Sequence, residues 1–297
     1  MWIVMLLIPC FCLADNWAVI LNSSKFYFNY RHTTNALMIY QILKRMGFSD
    51  DRIILMLPEN IPCNPRNNFP YEMFNGQTKE NLYDGNIEVD YRGKDITPDS
   101  IVRLLTGRYD QNTPPNQRLN SNKNSRIFMF FNGHGGDSYL KIQDTQVLRD
   151  VDIALALKEM HIKERYAEIF FILETCQAFS LFRYIDVPNV HGLATSLVGQ
   201  MAKSLWVDTD LGISMTDHFS YYFADLLKNI SYSDIQKLRL SEVMQRLPGK
   251  LLKADLGYQS SKPASSIILG DFMTDMQSYI PAPKLNLVIQ KRERKLV

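Results

Sequence analysis

Four short, continuously apolar segments constrain the fold of this chain most, because each suits a strand buried on both faces. They read WAVILN (17–22), RIILML (52–57), RIFMFF (126–131) and EIFFIL (168–173). Helical patterns separate them, over residues 32–46, 97–105 and 150–160. Buried strands alternating with helices indicate an α/β fold whose mostly parallel sheet is flanked by helices on both faces.

Three further segments carry weaker patterns. The stretch YDGNIEVDYRG (83–93) predicts a hairpin, residues 214–228 predict a helix, and ASSIILGDF (264–272) predicts a last strand. No phosphate-binding glycine motif is found in the sequence, and the lone histidines His191 and His218 lack metal-ligand spacing, which favours structural roles.

The two ends of the chain differ from its middle. MWIVMLLIPCFCLA (1–14) is apolar and ends in a small residue, which predicts a secretory signal peptide, with a buried first strand as the alternative. A single catalytic domain is then expected over 15–280. The predicted C-terminal tail, 281–297, is too short and too charged for a transmembrane helix. A net charge of +2 gives no indication of a nucleic-acid partner.

Two of the apolar strands end in reactive side chains. NGHGG places His134 after the third strand, and ETCQA places Cys176 after the fourth, 42 residues later. Ligands of parallel sheets bind at the carboxyl ends of the strands. There an imidazole can take the proton of a thiol, and the backbone amides of Gly135 and Cys176 could form an oxyanion hole. A packed cysteine and an incidental histidine are the alternative.

The cysteines and sequons bear on the compartment. Cys10 and Cys12 would leave with the signal, so Cys63 and Cys176 remain. These two could pair. If Cys176 is a nucleophile instead, Cys63 is left over in an oxidising compartment, which indicates an intermolecular disulfide. The sequons NSS and NIS predict glycosylation at Asn22 and Asn229.

The motifs FNYRH, GHGG and ETCQA together resemble the legumain-like branch of the caspase-fold cysteine peptidases. Longer segments, FYFNYRHTTNAL, ILMLPENIPCNPRN, IEVDYRGKDIT and LTGR, are similar to the members of that branch that serve as catalytic subunits of GPI transamidases. The resemblance covers roughly residues 17–275. It implies an enzyme of the endoplasmic reticulum lumen that cleaves the C-terminal GPI-attachment signal of a precursor protein. The acyl group would pass through a thioester on Cys176 to the ethanolamine amine of a GPI lipid, without a cofactor in the chemistry.

The resemblance also assigns roles to individual residues. Asn29 would orient His134, while Arg31, Thr195 and Ser196 would bind substrate. Cys63 would form a disulfide with a companion lumenal subunit, and the other lumenal and membrane subunits would retain the chain at the membrane.

A structural calcium site is a further implication of the resemblance. Its ligands would be Asp50, the Ile53 carbonyl, Glu88 and Asp90. Glu88 and Asp90 would share one face of an extended stretch, and carboxylate oxygens suit calcium. A solvated acidic edge is the alternative.

Three residues depart from the family pattern: Asn132, Glu174 and Gln200. Two other functions stay open, an asparaginyl endopeptidase of the same fold and a non-catalytic scaffold subunit. The motif around Cys63 disfavours the endopeptidase, and the intact set of Asn29, His134 and Cys176 disfavours the scaffold.

Overall fold

The computed structural model describes residues 15–77 and 80–275. The predicted signal (1–14) and the predicted tail (281–297) lie outside these residues and stay predictions. Within the described ranges, no helix combines the length and the apolar character needed to cross a membrane.

The strands of the described chain are short. In chain order they are β1 (Asp15–Asn22), β2 (Ile53–Leu57), β3 (Tyr91–Arg92), β4 (Ser125–Asn132), β5 (Gly135–Gly136), β6 (Tyr139–Ile142), β7 (Gln146–Arg149), β8 (Glu168–Glu174), β9 (Val190–Ala194), β10 (Ser204–Asp208), β11 (Ile213–Asp217) and β12 (Gly257–Gln259).

The helices of the described chain are mostly placed between strands. They are α1 (Tyr30–Arg45), α2 (Pro98–Thr106), α3 (Asp150–Ile162), α4 (His218–Lys228), α5 (Tyr232–Ile235), α6 (Leu240–Arg246), α7 (Gly249–Leu252) and α8 (Gly270–Met273). Single turns of 3₁₀ helix lie at Tyr27–Asn29, Asp50–Arg52, Ile61–Cys63, Gly93–Asp95, Pro115–Gln117, Ala178–Phe182 and Ala264–Ser266.

One seven-stranded sheet forms the centre of the described structure, in the order β12-β9-β8-β4-β1-β2-β3. All of its strands are parallel except β12, which runs antiparallel to β9. A three-stranded sheet, β5-β6-β7, and the β10-β11 hairpin are separate. The α/β class and the mostly parallel sheet predicted from the sequence are confirmed.

Both faces of the sheet are covered, which explains why the strands are continuously apolar. On β4, Phe128 and Phe130 pack in one hydrophobic cluster with residues of α1 and α4. The alternate residues Ile127, Met129 and Phe131 pack in a second cluster with residues of α2 and α3. Because successive side chains of a strand point to opposite faces, a strand between two helical layers has no solvent side to carry polar residues.

The helix predicted at 97–105 is confirmed, and capping residues mark both of its ends. It runs from Pro98 to Thr106, and Thr97 and Ser100 cap it reciprocally: Ser100 N donates to Thr97 Oγ1 at 3.0 Å and Thr97 N donates to Ser100 Oγ at 2.9 Å. Gly107, with φ 68°, ends it in the left-handed conformation.

The hairpin predicted at 83–93 is wrong. Only Tyr91–Arg92 form a strand there, and it pairs parallel to β2 at the sheet edge. The preceding residue already joins that edge, because Asp90 N donates to the Leu55 carbonyl at 2.9 Å. Pairing with the main sheet therefore replaces local pairing.

Two other element predictions need correction. Residues 214–228 are not one helix, because Ile213–Asp217 form β11 before α4 begins at His218. The strand predicted at 264–272 is wrong, and within the described residues the last strand is β12. The Ile267 carbonyl accepts from Leu240 N at 2.8 Å, and Leu269 N donates to the Leu238 carbonyl at 2.9 Å. This apolar run is thus buried beside α6 rather than in the sheet.

Candidate active site

His134 leaves β4 on a loop whose packing requires glycine. Gly133 has a φ of 147°, and a Cβ there would lie 2.0 Å from Ser23 Oγ. A Cβ on Gly135 would lie 2.4 Å from Thr175 Oγ1. Both distances are far inside van der Waals contact, so the glycines let this loop pack directly against the neighbouring strand end.

Asn29 fixes the orientation of the His134 ring. Asn29 Nδ2 donates to the Lys25 carbonyl at 2.6 Å, which leaves its Oδ1 facing His134 Nε2 at 2.8 Å. Because an amide oxygen can only accept, Nε2 must carry the hydrogen and Nδ1 keeps its lone pair. The buried Asn29 therefore presents His134 in the tautomer whose Nδ1 can take a proton.

The surroundings of His134 keep the ring neutral. Burial lowers the pKa of His134 below its ordinary value near 6.5, and the charges of Arg31 and Lys141 lower this pKa further, against an opposing effect of Asp144. The ring is therefore a neutral imidazole at neutral pH, the form that a general base needs.

Cys176 is brought level with His134 by the register of two strands. β4 and β8 are adjacent and parallel, with Asn132 opposite Glu174. The same offset of 42 positions separates His134 from Cys176. Gly133 N also donates to the Glu174 carbonyl at 3.2 Å, which joins the two loops. His134 and Cys176 thus leave neighbouring strands at the same edge.

The Cys176 thiol is free and partly exposed. Among the described residues, nothing accepts a hydrogen bond from the Cys176 amide, and the thiol shares no hydrogen bond with His134. Catalytic hydrogen bonds often close only when substrate binds. The arrangement offers a nucleophile, a neutral base and an unused amide donor.

The Ser196 hydroxyl group holds the backbone on both sides of Cys176. Ser196 Oγ donates to the Thr175 carbonyl at 2.7 Å and accepts from Ala178 N at 3.0 Å. Thr195 and Ser196 follow β9 and are both buried. Ser196 therefore fixes the backbone of the Cys176 loop through these two hydrogen bonds. Substrate binding by Thr195 and Ser196 stays a prediction.

A buried charge cluster, formed by Arg31, Glu174 and Asp217, adjoins these loops. Arg31 Nε lies 3.2 Å from Asp217 Oδ1, and Asn35 Nδ2 donates to Asp217 Oδ2 at 2.6 Å. Burial and the charge of Asp217 raise the pKa of Glu174, and burial also raises the pKa of Asp217 against the opposing effect of Arg31. The single guanidinium of Arg31 lowers the pKa of both buried carboxyl groups. Because the two carboxylates would repel each other, ionisation of both at once is disfavoured.

His32 lies between this cluster and His134. The two imidazole rings meet edge to face, with centroids 4.9 Å apart. His32 Nδ1 is 2.8 Å from Ser24 Oγ, and its Nε2 is 3.6 Å from Asp217 Oδ2. Burial lowers the pKa of His32 well below its ordinary value, so His32 is a neutral support for His134.

Three members of this site were missed in the sequence: His32, Glu174 and Asp217. His32 and Glu174 stand inside FNYRH and ETCQA, so their position beside chosen residues was a usable signal. Asp217 gave no such signal, because the segment around it reads as a helix and only β11 brings it to Arg31.

Of the proposed calcium ligands, Asp90 precedes β3 at the sheet edge, and its backbone N donates to the Leu55 carbonyl of β2. Burial, together with the charges of Glu88 and Asp50, raises the pKa of Asp90 to about 7, although Asn116 Nδ2 donates to Asp90 Oδ1 at 3.0 Å. Over the residues that the structure describes, no group of three or more His, Cys, Asp or Glu side chains could hold a metal ion. The calcium site, with the Ile53 carbonyl, stays a prediction.

Cys63 lies apart from this site. It ends the short helix Ile61–Cys63 beyond β2, is exposed and is a free thiol. Three strand spacings separate β2 from β8 in the sheet order, roughly 14 Å at about 4.8 Å per strand. Both cysteines are free thiols in the described structure, so it does not support the alternative of a bond between Cys63 and Cys176.

The two predicted glycosylation sites differ in exposure. Asn22 is fully buried, its Nδ2 donates to Thr33 Oγ1 at 3.0 Å, and its Oδ1 accepts from Ser24 N at 2.9 Å. A glycan on this amide has no room in the folded protein, so the prediction for Asn22 is wrong. Asn229 is exposed at the end of α4, and its glycosylation stays a prediction.

A parallel sheet that sets an imidazole and a thiol at adjacent strand ends has the architecture of a caspase-like peptidase. The model of the Peptidase C13 family matches residues 16–249, and the chain belongs to that family.

Individual relatives agree with the family. The chain is 36% identical over 271 residues to a GPI-anchor transamidase of Saccharomyces cerevisiae, covering 90% of this chain and 66% of the relative. It is 43% identical over 216 residues to a GPI-anchor transamidase of Schizosaccharomyces pombe, covering 72% and 57%. For a human GPI-anchor transamidase the identity is 35% over 262 residues, covering 87% and 66%. The chain thus spans about two thirds or less of the length of these curated relatives.

Proposed function

We propose that this chain is the catalytic subunit of a GPI transamidase acting in the lumen of the endoplasmic reticulum. The observation that carries the proposal is the meeting of Cys176 with the Asn29-oriented His134 at one sheet edge, in a chain similar to proteins named GPI-anchor transamidase. The substrates are a precursor protein with a C-terminal attachment signal and a GPI lipid.

The first half of the proposed reaction is acylation. His134 Nδ1 takes the proton of the Cys176 thiol, and the sulfur attacks the carbonyl carbon of the attachment residue. The amides of Gly135 and Cys176 donate to the oxygen that becomes negative, a contribution of about 10²–10³-fold per donor. His134 then gives its proton to the departing amine, so the C–N bond breaks and a thioester to Cys176 remains.

The second half is transfer. The ethanolamine amine of the GPI lipid attacks the thioester, and its proton passes to His134 Nδ1. The C–S bond breaks, the Cys176 sulfur regains a proton, and an amide joins protein and lipid. If water attacks in place of the amine, the product is a free carboxylate, which is the endopeptidase outcome.

The buried charge cluster supports a role of Arg31 in recognising the attachment residue. The Arg31 side chain is 18% exposed, whereas that of Asp217 is 7% exposed. The Arg31 side chain is therefore more accessible to a substrate than that of Asp217. Its charge already acts on the carboxyl groups of Asp217 and Glu174, which favours a small polar partner over a third carboxyl group.

The experiment that tests the function is replacement of the endogenous catalytic subunit in cells by this chain. Restored surface display of a GPI-anchored reporter, with a lipid-bearing C-terminus by mass spectrometry, is the expected result. Cleaved reporter that carries only a free carboxylate would identify an endopeptidase. Display equally restored by Cys176→Ala would identify a scaffold.

The Cys63 motif supports a covalent partner. An exposed thiol is vulnerable to oxidation in an oxidising lumen, and a dedicated disulfide removes that exposure. A covalent heterodimer is expected on non-reducing gels, and reductant should convert it to the single chain. Cys63→Ser should remove this band and only weaken activity, because a disulfide adds about 2–4 kcal/mol to contacts that persist. Native Cys63 found as a free thiol within the complex would contradict the bridge.

A calcium ion remains a proposal for the edge of β2 and β3. Burial is the main cause of the raised pKa of Asp90, and the charges of Glu88 and Asp50 raise this pKa further, so a bound cation would favour the ionised carboxylate. Against it, Lys44 Nζ already lies 2.8 Å from Asp50 Oδ2. Calcium would act on stability, because this edge is distinct from the Cys176 loop.

The sequons give a matched pair of variants. Asn229→Gln is expected to increase gel mobility by the mass of one glycan, as enzymatic deglycosylation would. Asn22→Gln should leave mobility unchanged, because the buried Asn22 amide carries no glycan. A mobility change in Asn22→Gln alone would overturn the assignment.

A further inference from the structure

The residue directly after Cys176 has an unusual backbone. Gln177 lies in the left-handed region, with φ 54° and ψ 32°. That region is sterically unfavourable for a residue with a Cβ, so it persists only where the surroundings hold it. Whatever holds Gln177 also sets the direction of the chain as it leaves Cys176.

A neighbouring segment, here called the 197–200 loop, holds Gln177 at two points. The backbone N of Gln177 donates to the Gln200 carbonyl at 2.8 Å. The side-chain Oε1 of Gln177 accepts from Gly199 N at 3.0 Å. Main chain and side chain of Gln177 are therefore both bound to one loop.

The side chain of Gln200 in turn holds that loop. Its Oε1 accepts from Leu197 N at 3.2 Å and from Asp255 N at 2.8 Å. Its Nε2 donates to Asp255 Oδ2 at 2.8 Å. These bonds close the 197–200 loop on itself and attach it to the segment between α7 and β12.

We propose that the Gln200–Asp255 pair is a positioning device for the nucleophile, acting on Cys176 through Gln177. The inference rests on the proposed catalytic role of Cys176. Neither residue touches the reacting atoms. The pair fixes the 197–200 loop, the loop fixes the left-handed Gln177, and Gln177 fixes the thiol relative to His134.

The chemistry of the pair explains why an amide stands at position 200. Two backbone N–H groups require an oxygen on one side, and the Asp255 carboxylate requires a donor on the other. Only a carboxamide offers both. A carboxylate at 200 would satisfy the two N–H groups but face Asp255 as a like charge. An amide at 255 would then restore the missing donor, so Gln–Asp and Glu–Asn are equivalent pairs.

That equivalence gives a test with three variants of the full chain: Gln200→Glu, Asp255→Asn and the double substitution. The measurement is the rate at which iodoacetamide modifies Cys176, divided by the rate for a cysteine-containing reference peptide added to the same sample, read by peptide mass spectrometry. Gln200→Glu is expected to lower this ratio by roughly tenfold. A misplacement of reacting groups by about 1 Å can cost ~10²-fold in rate, so a tenfold loss corresponds to a smaller shift of the thiol. A thiol moved away from His134 loses the base that ionises it.

The two other variants are the controls. Asp255→Asn should leave the ratio unchanged, because its amide oxygen still accepts from Gln200 Nε2. The double variant should return to the wild-type ratio. Thermal unfolding of each variant separates a loss of folding from a shift of the loop. A wild-type ratio in folded Gln200→Glu, or no recovery in a folded double variant, would overturn the inference. Alkylation requires no GPI lipid, so a changed ratio supports the device even if the transamidase function fails.

Discussion

Cys176→Ser and His134→Ala are each expected to abolish GPI attachment, lowering its rate by at least ~10²–10⁴-fold while leaving folding intact. The thiol is partly exposed at a strand end, and His134 is held by a single side-chain bond to Asn29, so neither substitution disturbs the packed sheet. The measurement is surface display of a GPI-anchored reporter in cells whose only catalytic subunit is the variant.

The chain offers matched controls for both substitutions. Cys63→Ser removes the other described cysteine, and His161→Ala removes an exposed histidine at the end of α3. Both variants should retain most of the activity. The activity of Asn29→Ala should fall between that of the controls and that of the abolished variants. In this variant the His134 imidazole is still present as a base, but its tautomer is no longer fixed. Substantial anchored product from Cys176→Ser would show that this residue is not the nucleophile.

Arg31→Met is expected to destabilise the fold by about 3–5 kcal/mol at pH 8, because it removes the cation that serves two buried carboxyl groups. The cost should be smaller at pH 5.5. Glu174 and Asp217 both have raised pKa values in the folded state, so their burial favours the protonated form, and stability falls as pH rises toward those values. Without Arg31 both pKa values rise further, which widens the range of pH in which folding is penalised.

Urea unfolding of wild type and variant at the two pH values measures this effect. Arg103→Met is the matched control, since Arg103 pairs with Asp99 across one exposed helical turn, with side chains 49% and 74% exposed. An exposed pair of this kind contributes at most about 0.5 kcal/mol. A variant Arg31→Met as stable as Arg103→Met at pH 8, or equally destabilised at both pH values, would contradict the account of the charge cluster.

Features of the site that follow from strand register were predictable from the sequence. His134 and Cys176 each follow a continuously apolar strand by the same number of residues, and parallel neighbours in register bring equal offsets together. That argument needs only local composition and the rule that parallel sheets bind ligands at their carboxyl edge.

Features that depend on distant contacts were not predictable. Asp217 reaches Arg31 only because β10 and β11 form a hairpin outside the main sheet. The apolar run at 264–272 satisfies both strand and buried-turn patterns, and its hydrogen bonds to Leu238 and Leu240 decide between them. Asn22 matches a sequon, yet its place at the end of a central strand buries it. Sequence patterns record local preference, whereas these outcomes depend on which distant residues supply the partner.

Cys176 is expected to carry the acyl group between cleavage and transfer. The most direct measurement is acid quenching of the purified complex during turnover of a precursor, followed by peptide mass mapping, with and without hydrazine. We expect the mass of the cleaved precursor on the Cys176 peptide alone, and its release by hydrazine as a hydrazide. An acyl group on another residue, or products with only carboxylate ends in the presence of hydrazine, would contradict the claim.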